Sequence, residues 1–197
     1  MPGSTGTLAQ QIHQGAPADL FFAADESFLD HLTREGLVLA DTRGLYAQGR
    51  LVLAAAKTAG GPIENLRDLL RPEVRRIAIA NPAHAPYGLA AEQALETVGI
   101  WTLVKPKLVY GENVRQALQF VQSGAADAGI VARSVADVPD IRWTLVDASL
   151  HKPLNQAAAV LKRASNAELA KAFLRFVNGP EGRPVMKRFG FLLPGEF

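Results

Sequence analysis

The stretch that decides the fold is RIAIANPAHAPYGLAAEQALETVGI, which runs from residue 76 to residue 100. Its opening, RIAIA (76–80), is a short apolar run followed by turn residues, which is typical of a buried strand. Residues 86–98 form a helical pattern that begins with Pro86, and proline is well tolerated in the first turn of a helix. The apolar KLVY (107–110) follows as another strand. This order of strand, helix and strand predicts an α/β fold with a largely parallel sheet.

The same alternation of helices and strands continues towards both ends of the chain. Further helices are predicted over residues 7–14, 26–35, 63–70, 112–123, 166–177 and 180–189, and further strands over residues 19–24, 51–56, 128–132, 143–146 and 157–161. A Gly-Gly-Pro turn is predicted at residues 60–62. The phenylalanines near the C-terminus are expected in the core because they recur at helical spacing; they are Phe173, Phe176, Phe189 and Phe191.

Composition argues against several classes of function. The chain has 21 basic and 19 acidic residues and a net charge of +2, with no basic block, so nucleic-acid binding is not expected. The absence of cysteine excludes thiolate metal sites and a cysteine nucleophile, and the four histidines lack metal-ligand spacing. Neither a nucleophile elbow nor a phosphate-binding loop appears, so we do not expect an enzyme. No apolar run approaches the ~20 residues of a membrane-spanning helix.

Three turns that precede helices have the character of an anion site. They are GSTG (3–6), NPAHAPYG (81–88) and GENV (111–114). Each places backbone N–H groups at a helix start, where the helix dipole adds about half a positive charge. Three such turns converging on one point would hold a tetrahedral dianion without any lysine, and Ser4 and Thr5 add hydroxyl donors. The same residue types also simply cap helices, so the pattern alone leaves ligand binding and capping open.

Four blocks, which together span most of the chain, resemble the molybdate-binding family of extracytoplasmic solute-binding proteins. The blocks are GSTGTLAQQIHQGAPADLFFAAD (3–25), NPAHAPYGLAAEQALETVGIW (81–101), GENVRQALQFVQSGAADAGIVARS (111–134) and KAFLRFVNGPEGRPVMKRFGF (171–191). The resemblance implies an α/β fold of the type II periplasmic-binding-protein architecture, with two lobes joined by hinge strands and the anion in the cleft. The crossings are expected within LVLAAA (51–56) and QAAAVL (156–161). Lobe 1 would then comprise residues 1–54 and 157–197, and lobe 2 residues 55–156.

The resemblance also implies the ligand and the residues that bind it. The ligand is molybdate, often also tungstate, held by uncharged donors and without a cofactor. By motif, Thr5 falls on a hydroxyl donor, and Tyr87 and Val114 fall on backbone N–H donors. Some members have a ligand-contacting tyrosine where this chain has Ala132. The implied partner is an ABC permease at the membrane, and the implied location is periplasmic.

Members of the family begin with a strand, a helix and a second strand that precede the GSTG segment. We expect this unit to be missing from the chain, through a misassigned start or a truncation, and the first fifteen residues lack the regions of a signal peptide. Without that unit, DLFFAA (19–24) would have no neighbour and would expose its backbone groups. The sequence therefore predicts either self-association through the exposed sheet edge or weak ligand binding.

Two further functions remain open at this stage. One is a receptor for sulfate or another oxyanion, since selectivity depends on the size of the cleft. The other is a cytoplasmic oxyanion-sensing domain of a regulator, which the lack of a signal peptide favours and the lack of a helix-turn-helix segment disfavours. Melting temperatures measured with a panel of oxyanions separate a receptor from a protein without an anion site.

Overall fold

The computed structural model describes residues 1–57 and 61–197. Its strands are β1 (Leu20–Ala23), β2 (Gly44–Gly49), β3 (Leu51–Ala56), β4 (Ile77–Ala80), β5 (Leu108–Gly111), β6 (Ala128–Ala132), β7 (Ile141–Leu145) and β8 (Leu154–Val160). Its α-helices are α1 (Thr5–His13), α2 (Glu26–Arg34), α3 (Pro86–Thr97), α4 (Trp101–Val104), α5 (Val114–Gln122), α6 (Arg133–Ala136), α7 (Ala167–Asn178) and α8 (Gly182–Arg188). Short 3-10 helices cover Ala40–Thr42, Leu66–Leu70, Lys105–Lys107 and Ala148–Leu150.

The chain divides into two compact units. Unit 1 comprises Met1–Gly49 and Leu154–Phe197, and unit 2 comprises Arg50–Pro153. The boundaries expected from the sequence, after residue 54 and before residue 157, fall within β3 and β8, whereas this division places each of those strands wholly in one unit. None of the helices in the described residues is both long and apolar enough to cross a membrane.

Unit 1 contains a three-stranded sheet in the order β1-β8-β2. Both pairings with the central strand β8 are antiparallel, so the expectation of a largely parallel sheet is wrong for this unit. Strand β2 was not predicted, because GLYAQG carries no apolar alternation and only Ala47 and Gly49 are buried in it. One face of the sheet is covered by α2 and packs a core that includes Phe21, Leu29 and Leu32.

The other face of this sheet carries a partly exposed aromatic surface. Phe22 of β1 meets Tyr46 of β2 and Phe173 of α7 edge-on, with ring centroids 5.1 and 6.1 Å apart, and Phe176 stacks on Phe173. The exposed fractions of Phe173 and Phe176 are 48% and 49%. Phe189 is exposed to a similar degree, so the expectation of a core position is wrong for Phe173, Phe176 and Phe189, whereas Phe191 is partly buried. Only Ala170 of α7 is buried, and the helix presents its larger apolar side chains to the surface.

Strand β1 has β8 on one side and no neighbouring strand, among the described residues, on the other. The expectation that DLFFAA lacks any neighbour is therefore wrong, and only one of its edges is open. The N–H of Leu161 donates to the carbonyl of Asp19 at 2.9 Å, so the antiparallel alternation turns the peptide groups of Leu20 and Phe22 away from β8. Beside β1 lies a groove of about 520 Å³, whose lining includes the apolar Leu8 and Ile12 of α1 and the polar Gln11 and Asp19.

Unit 2 contains a five-stranded mixed sheet in the order β5-β4-β6-β3-β7. Strands β5, β4 and β6 are parallel, as expected, while β3 runs antiparallel to both β6 and β7. Helix α5 covers one face of the sheet, and Ala78 of β4 belongs to the buried cluster that α5 forms with these strands. Helix α3 packs against the same strands. Every residue of β4 and β6 is buried, which explains their continuous apolar sequences.

The segment before β4 folds more tightly than predicted. The helix expected over residues 63–70 is a 3-10 helix over Leu66–Leu70, which is started by a capping box between Asn65 and Asp68. The Asp68 carboxylate accepts hydrogen bonds from the N–H groups of Glu64 and Asn65 at 2.8 and 3.0 Å. The turn predicted at residues 60–62 begins at Gly60, which lies outside the described residues.

Candidate functional site

The turn at the start of unit 1 is built around a helix cap. Ser4 is the N-cap of α1, and its hydroxyl oxygen accepts a hydrogen bond from the N–H of Thr7 at 3.3 Å and lies 2.7 Å from the Thr7 hydroxyl. The N–H of Leu8 donates to the Ser4 carbonyl. Ser4, one of two hydroxyl donors suggested by the sequence, is therefore engaged in capping.

Thr5 is held in a different way. Its hydroxyl oxygen accepts a hydrogen bond from the N–H of Ala24 at 3.1 Å, which ties the start of α1 to the end of β1. The residue is 5% exposed. Since a threonine hydroxyl has one proton to give as well as lone pairs, this bond fixes the oxygen and leaves the proton for another acceptor. Thr5 and Gly6 occupy the first turn of α1, where backbone N–H groups have no partner within the helix.

In unit 2 the topology brings the second and third predicted turns to one edge of the sheet. Strands β4 and β5 are parallel neighbours, and Ala80 and Gly111 lie level at their carboxyl ends. The N–H of Asn81 donates to the carbonyl of Gly111 at 2.7 Å, which joins the two turns directly. Helices α3 and α5 both begin just beyond this edge, so their positive dipole ends lie on the same side of unit 2.

The turn before α3 is held by hydrogen bonds between its own residues and the first turn of the helix. The Asn81 side chain accepts from the N–H of Ala83, and the carbonyl of Ala85 accepts from the N–H groups of Gly88 and Leu89. Pro86, the first residue of α3, has no N–H to give. Tyr87 follows at the second helical position and is 6% exposed. The backbone N–H of Tyr87, predicted as a ligand donor, thus lies in the first turn of α3.

The turn before α5 leaves one N–H group uncommitted. The Asn113 side chain accepts from the N–H groups of Arg115 and Gln116 at 3.0 and 3.1 Å, and the Asn113 carbonyl accepts from Ala117. For the N–H of Val114 the structure shows no acceptor within the described part of the chain. Capping and ligand binding are therefore compatible here. The Asn113 cap accepts hydrogen bonds from the N–H groups of Arg115 and Gln116 and does not use the N–H of Val114, the residue predicted from the sequence.

Arg133 is a residue of this edge that the sequence analysis missed. It directly follows β6, the parallel neighbour of β4, and a basic residue immediately after a buried strand is the signal that was available. Its guanidinium lies 3.9 Å from the Trp143 ring centroid. Trp143 is level with Gly129, because both pair with Ala54 of β3. The Arg133 guanidinium therefore lies over the interior of the sheet and not at the strand ends beside Ala132.

The described residues contain no group of three or more histidine and acidic side chains placed to hold a metal ion. Glu112, the acidic residue of the third turn, is exposed, and its backbone N–H donates to the Gln116 side chain. What unit 2 offers at this edge is backbone N–H groups and two helix dipoles. Such a set favours an anion that carries several acceptor oxygens.

Comparison with known proteins gives consistent results at the level of sequence and of fold. Residues 1–192 match the sequence profile of the bacterial extracellular solute-binding proteins. The chain is 34% identical to the molybdate-binding protein ModA of Rhodobacter capsulatus over 192 residues, which are 96% of the chain and 75% of that protein. It is 36% identical to ModA of Azotobacter vinelandii, with coverage of 96% and 76%.

A solved structure of the Azotobacter vinelandii periplasmic molybdate-binding protein superimposes with a TM-score of 0.90 at 34% identity. The alignment covers 98% of this chain and 85% of that one. The α/β, type II periplasmic-binding-protein architecture expected from the sequence is thereby confirmed.

Proposed function

This chain belongs to the bacterial extracellular solute-binding proteins, and from that premise we propose that it binds molybdate and delivers it to an ABC importer. The observation that carries the proposal is the sheet edge of unit 2. Two helices begin there beyond neighbouring parallel strands, and the N–H of Val114 is left without a described acceptor. Identities of 34% and 36% to molybdate-binding relatives, over 96% of the chain, support the same ligand.

The proposed donors are the three residues singled out by the sequence. Thr5 gives a hydroxyl proton while its oxygen is fixed by Ala24, and Tyr87 and Val114 give backbone N–H groups. Each is uncharged, so the negative charge of molybdate is balanced by hydrogen bonds and by helix dipoles. Side-chain changes at Tyr87 and Val114 that preserve the backbone are expected to lower the affinity for molybdate less than removal of a backbone N–H does.

The role we propose is binding without catalysis, and no cofactor takes part. The family match is to extracellular solute-binding proteins, so we propose that the chain acts on the periplasmic side of the membrane and docks on a permease. This favours a receptor over the cytoplasmic sensor considered above. Tungstate, a tetrahedral dianion with the same charge, is expected to share the site.

A panel of oxyanions tests this function. We expect molybdate and tungstate to raise the melting temperature, because a ligand that binds only the folded state stabilises it by about 2.7 kcal/mol at a concentration of 100 Kd. Sulfate and phosphate at equal concentration are expected to give a smaller shift. Equal shifts with all four anions would contradict molybdate selectivity, and no shift with any of them would overturn the receptor function.

We also propose that a second copy of this chain covers the open edge of β1. The sequence LFFA of β1 has none of the charged or proline residues that usually guard an edge strand. Antiparallel pairing of two β1 strands about Phe21 would place Leu20 of each opposite Phe22 of the other. The outward peptide groups would then be satisfied, and the aromatic surface of Phe22, Phe173 and Phe176 would be extended.

Light scattering with a charged edge variant tests self-association. We expect the unmodified chain to have the mass of two chains, and Leu20→Lys to have the mass of one because it places a charge on the edge. Leu103→Lys is the control, since Leu103 is an exposed apolar residue of unit 2. A mass of one chain for the unmodified protein at all concentrations would contradict the proposed pairing, whatever its molybdate affinity.

A further inference from the structure

Two buried glycines lie where α3 and α5 meet the strands before them. Gly88 is the third residue of α3, and Gly111 is the last residue of β5. Neither has a positive φ, so an alanine could adopt the same backbone conformation at both positions. The missing side chain must therefore matter for space rather than for backbone freedom.

At Gly88 the space is occupied by the end of β4. A Cβ placed on Gly88 would lie 2.1 Å from the carbonyl oxygen of Ala80 and 2.7 Å from its carbonyl carbon. Both are backbone atoms of the sheet and cannot rotate away as a flexible side chain would. The first turn of α3 therefore lies directly on the last peptide of β4, in a contact that only glycine permits.

At Gly111 the space is occupied by the first turns of α5. A Cβ placed there would lie 2.7 Å from the backbone nitrogen of Ala117 and 3.1 Å from the carbonyl oxygen of Asn113. These belong to the hydrogen bond from Ala117 to Asn113 that closes the first turn of the helix. Helix α5 is thus held against the end of β5 by a contact of the same kind.

The two contacts together fix the distance between the helix starts. Strands β4 and β5 are held in register with Ala80 level with Gly111, so each helix takes its position from its own strand end. We propose that Gly88 and Gly111 are positioning residues that set the spacing of the Tyr87 and Val114 N–H donors, and so set the preference of the site among tetrahedral anions of different size. This inference rests on the proposed function, because it concerns the selectivity of the same donors.

The test is the ratio of sulfate Kd to molybdate Kd, measured by titration calorimetry for Gly88→Ala and Gly111→Ala. An added methyl must push each helix start away from its strand by up to roughly an ångström, which moves one donor relative to the other. We expect the ratio to fall about tenfold in Gly111→Ala and further in Gly88→Ala, tenfold being about 1.4 kcal/mol of differential binding. If Gly88→Ala gives no cooperative melting transition, Gly111→Ala alone decides.

Gly129→Ala is the matched control. Gly129 lies in the interior of β6, and a Cβ there would come within 2.8 Å of Val121 Cγ2 and 3.0 Å of the Ala78 carbonyl oxygen. We expect this variant to melt at a lower temperature and to keep the unmodified ratio of the two Kd values. A Gly111→Ala variant that behaves in the same way would overturn the inference, since the glycine would then serve only packing. Failure of the unmodified chain to bind any oxyanion would overturn the proposed function and this inference with it.

Discussion

Unit 2 and unit 1 both place candidate donors at helix starts, but they hold them by different means. In unit 2 the parallel strands β4 and β5 end at one edge, so α3 and α5 begin side by side and present backbone N–H groups. In unit 1 the sheet is antiparallel, and the donor is a single hydroxyl that is fixed by one hydrogen bond from Ala24. A parallel arrangement can therefore bring candidate anion donors together through topology alone, whereas the candidate donor of the antiparallel unit depends on a particular side chain.

The units also differ in how completely they bury their sheets. Strands β4 and β6 are buried throughout, while β1 alternates buried and partly exposed residues and has an open edge. The four changes that follow test these differences, from the largest expected effect to the smallest.

Removal of a core side chain is expected to cost far more in unit 2 than at the edge of unit 1. Ile79→Ala in β4 should lower the free energy of unfolding by about 2–5 kcal/mol, because it leaves a cavity in a fully buried strand. Leu20→Ala in β1 should cost roughly 1 kcal/mol, since Leu20 is only partly buried. Urea denaturation followed by circular dichroism measures both, and equal losses would contradict the difference in burial.

Loss of the Val114 N–H should weaken molybdate binding by roughly 10–100-fold, as expected for a hydrogen bond to a charged ligand. Val114→Pro removes that donor at the first position of α5, where proline is tolerated, and the extended Asn113 before it suits a following proline. Calorimetry should show full affinity for Val114→Ala, which keeps the N–H. Ala167→Pro makes the same change after the Asn166 cap of α7 and controls for the helix. Unchanged affinity in Val114→Pro would remove Val114 from the site.

The hydroxyl of Thr5 is expected to contribute about tenfold in affinity, near the net value of a single hydrogen bond. Thr5→Val removes it and leaves the N–H of Ala24 without its described acceptor, so some loss of stability accompanies the loss of binding. Thr5→Ser keeps the hydroxyl and should restore most of the affinity. Should Thr5→Val bind molybdate as tightly as the unmodified chain, the hydroxyl serves only to hold β1.

The smallest change concerns Asp68 and depends on pH. Burial raises the pKa of the Asp68 carboxyl, but the N–H groups of Glu64 and Asn65 and the Arg71 guanidinium outweigh it and hold the pKa below its ordinary value of 3.8. The carboxylate therefore stabilises the fold above that pH and loses this contribution as the pH falls through the lowered pKa.

Asp68→Asn should accordingly lower the stability by about 1 kcal/mol at neutral pH, the usual value of a helix cap, and by less as the pH falls below about 3.8. Melting temperatures of both proteins from pH 7 down to pH 2.5 give the comparison. Asp19→Asn in unit 1 should have a smaller effect, because the Asp19 carboxylate accepts its bonds from Ser165 at the surface. A difference that grows towards low pH would contradict the assigned direction of the Asp68 pKa.

Much of the fold was predictable because its elements carry strong local patterns. IAIA and AGIVA are uninterrupted apolar strands, and the helix over residues 112–123 was placed within two residues at its start. Strand β2 was missed because its pairing with β8 joins residues over a hundred positions apart, and nothing within GLYAQG records that partner. The direction of the unit 1 strands was wrong for the same reason, since local patterns do not encode which strands become neighbours.

The candidate donors divide in a similar way. That residues 81–88 and 111–114 precede helices was readable from their turn residues, and their meeting at one edge follows from the parallel pairing of β4 and β5. The sequence offered both Ser4 and Thr5 as hydroxyl donors, and only the structure shows that the Ser4 oxygen caps α1 while the Thr5 oxygen binds Ala24. The sequence did not indicate that Asn113 caps α5 without using the N–H of Val114, because this depends on distances within one helix turn.

The central position of β8 has a consequence for synthesis on the ribosome. Unit 2 is continuous from Arg50 to Pro153, so all of it has been made before β8 leaves the exit tunnel. In the described structure β1 pairs with β8, and β2 pairs with β8 and, through Gln48, with Leu192, so both strands must wait for partners that are made later. The nascent chain therefore has every strand of the inserted unit while the earlier strands are still unpaired, which reverses the usual order in which domains fold from the N-terminus.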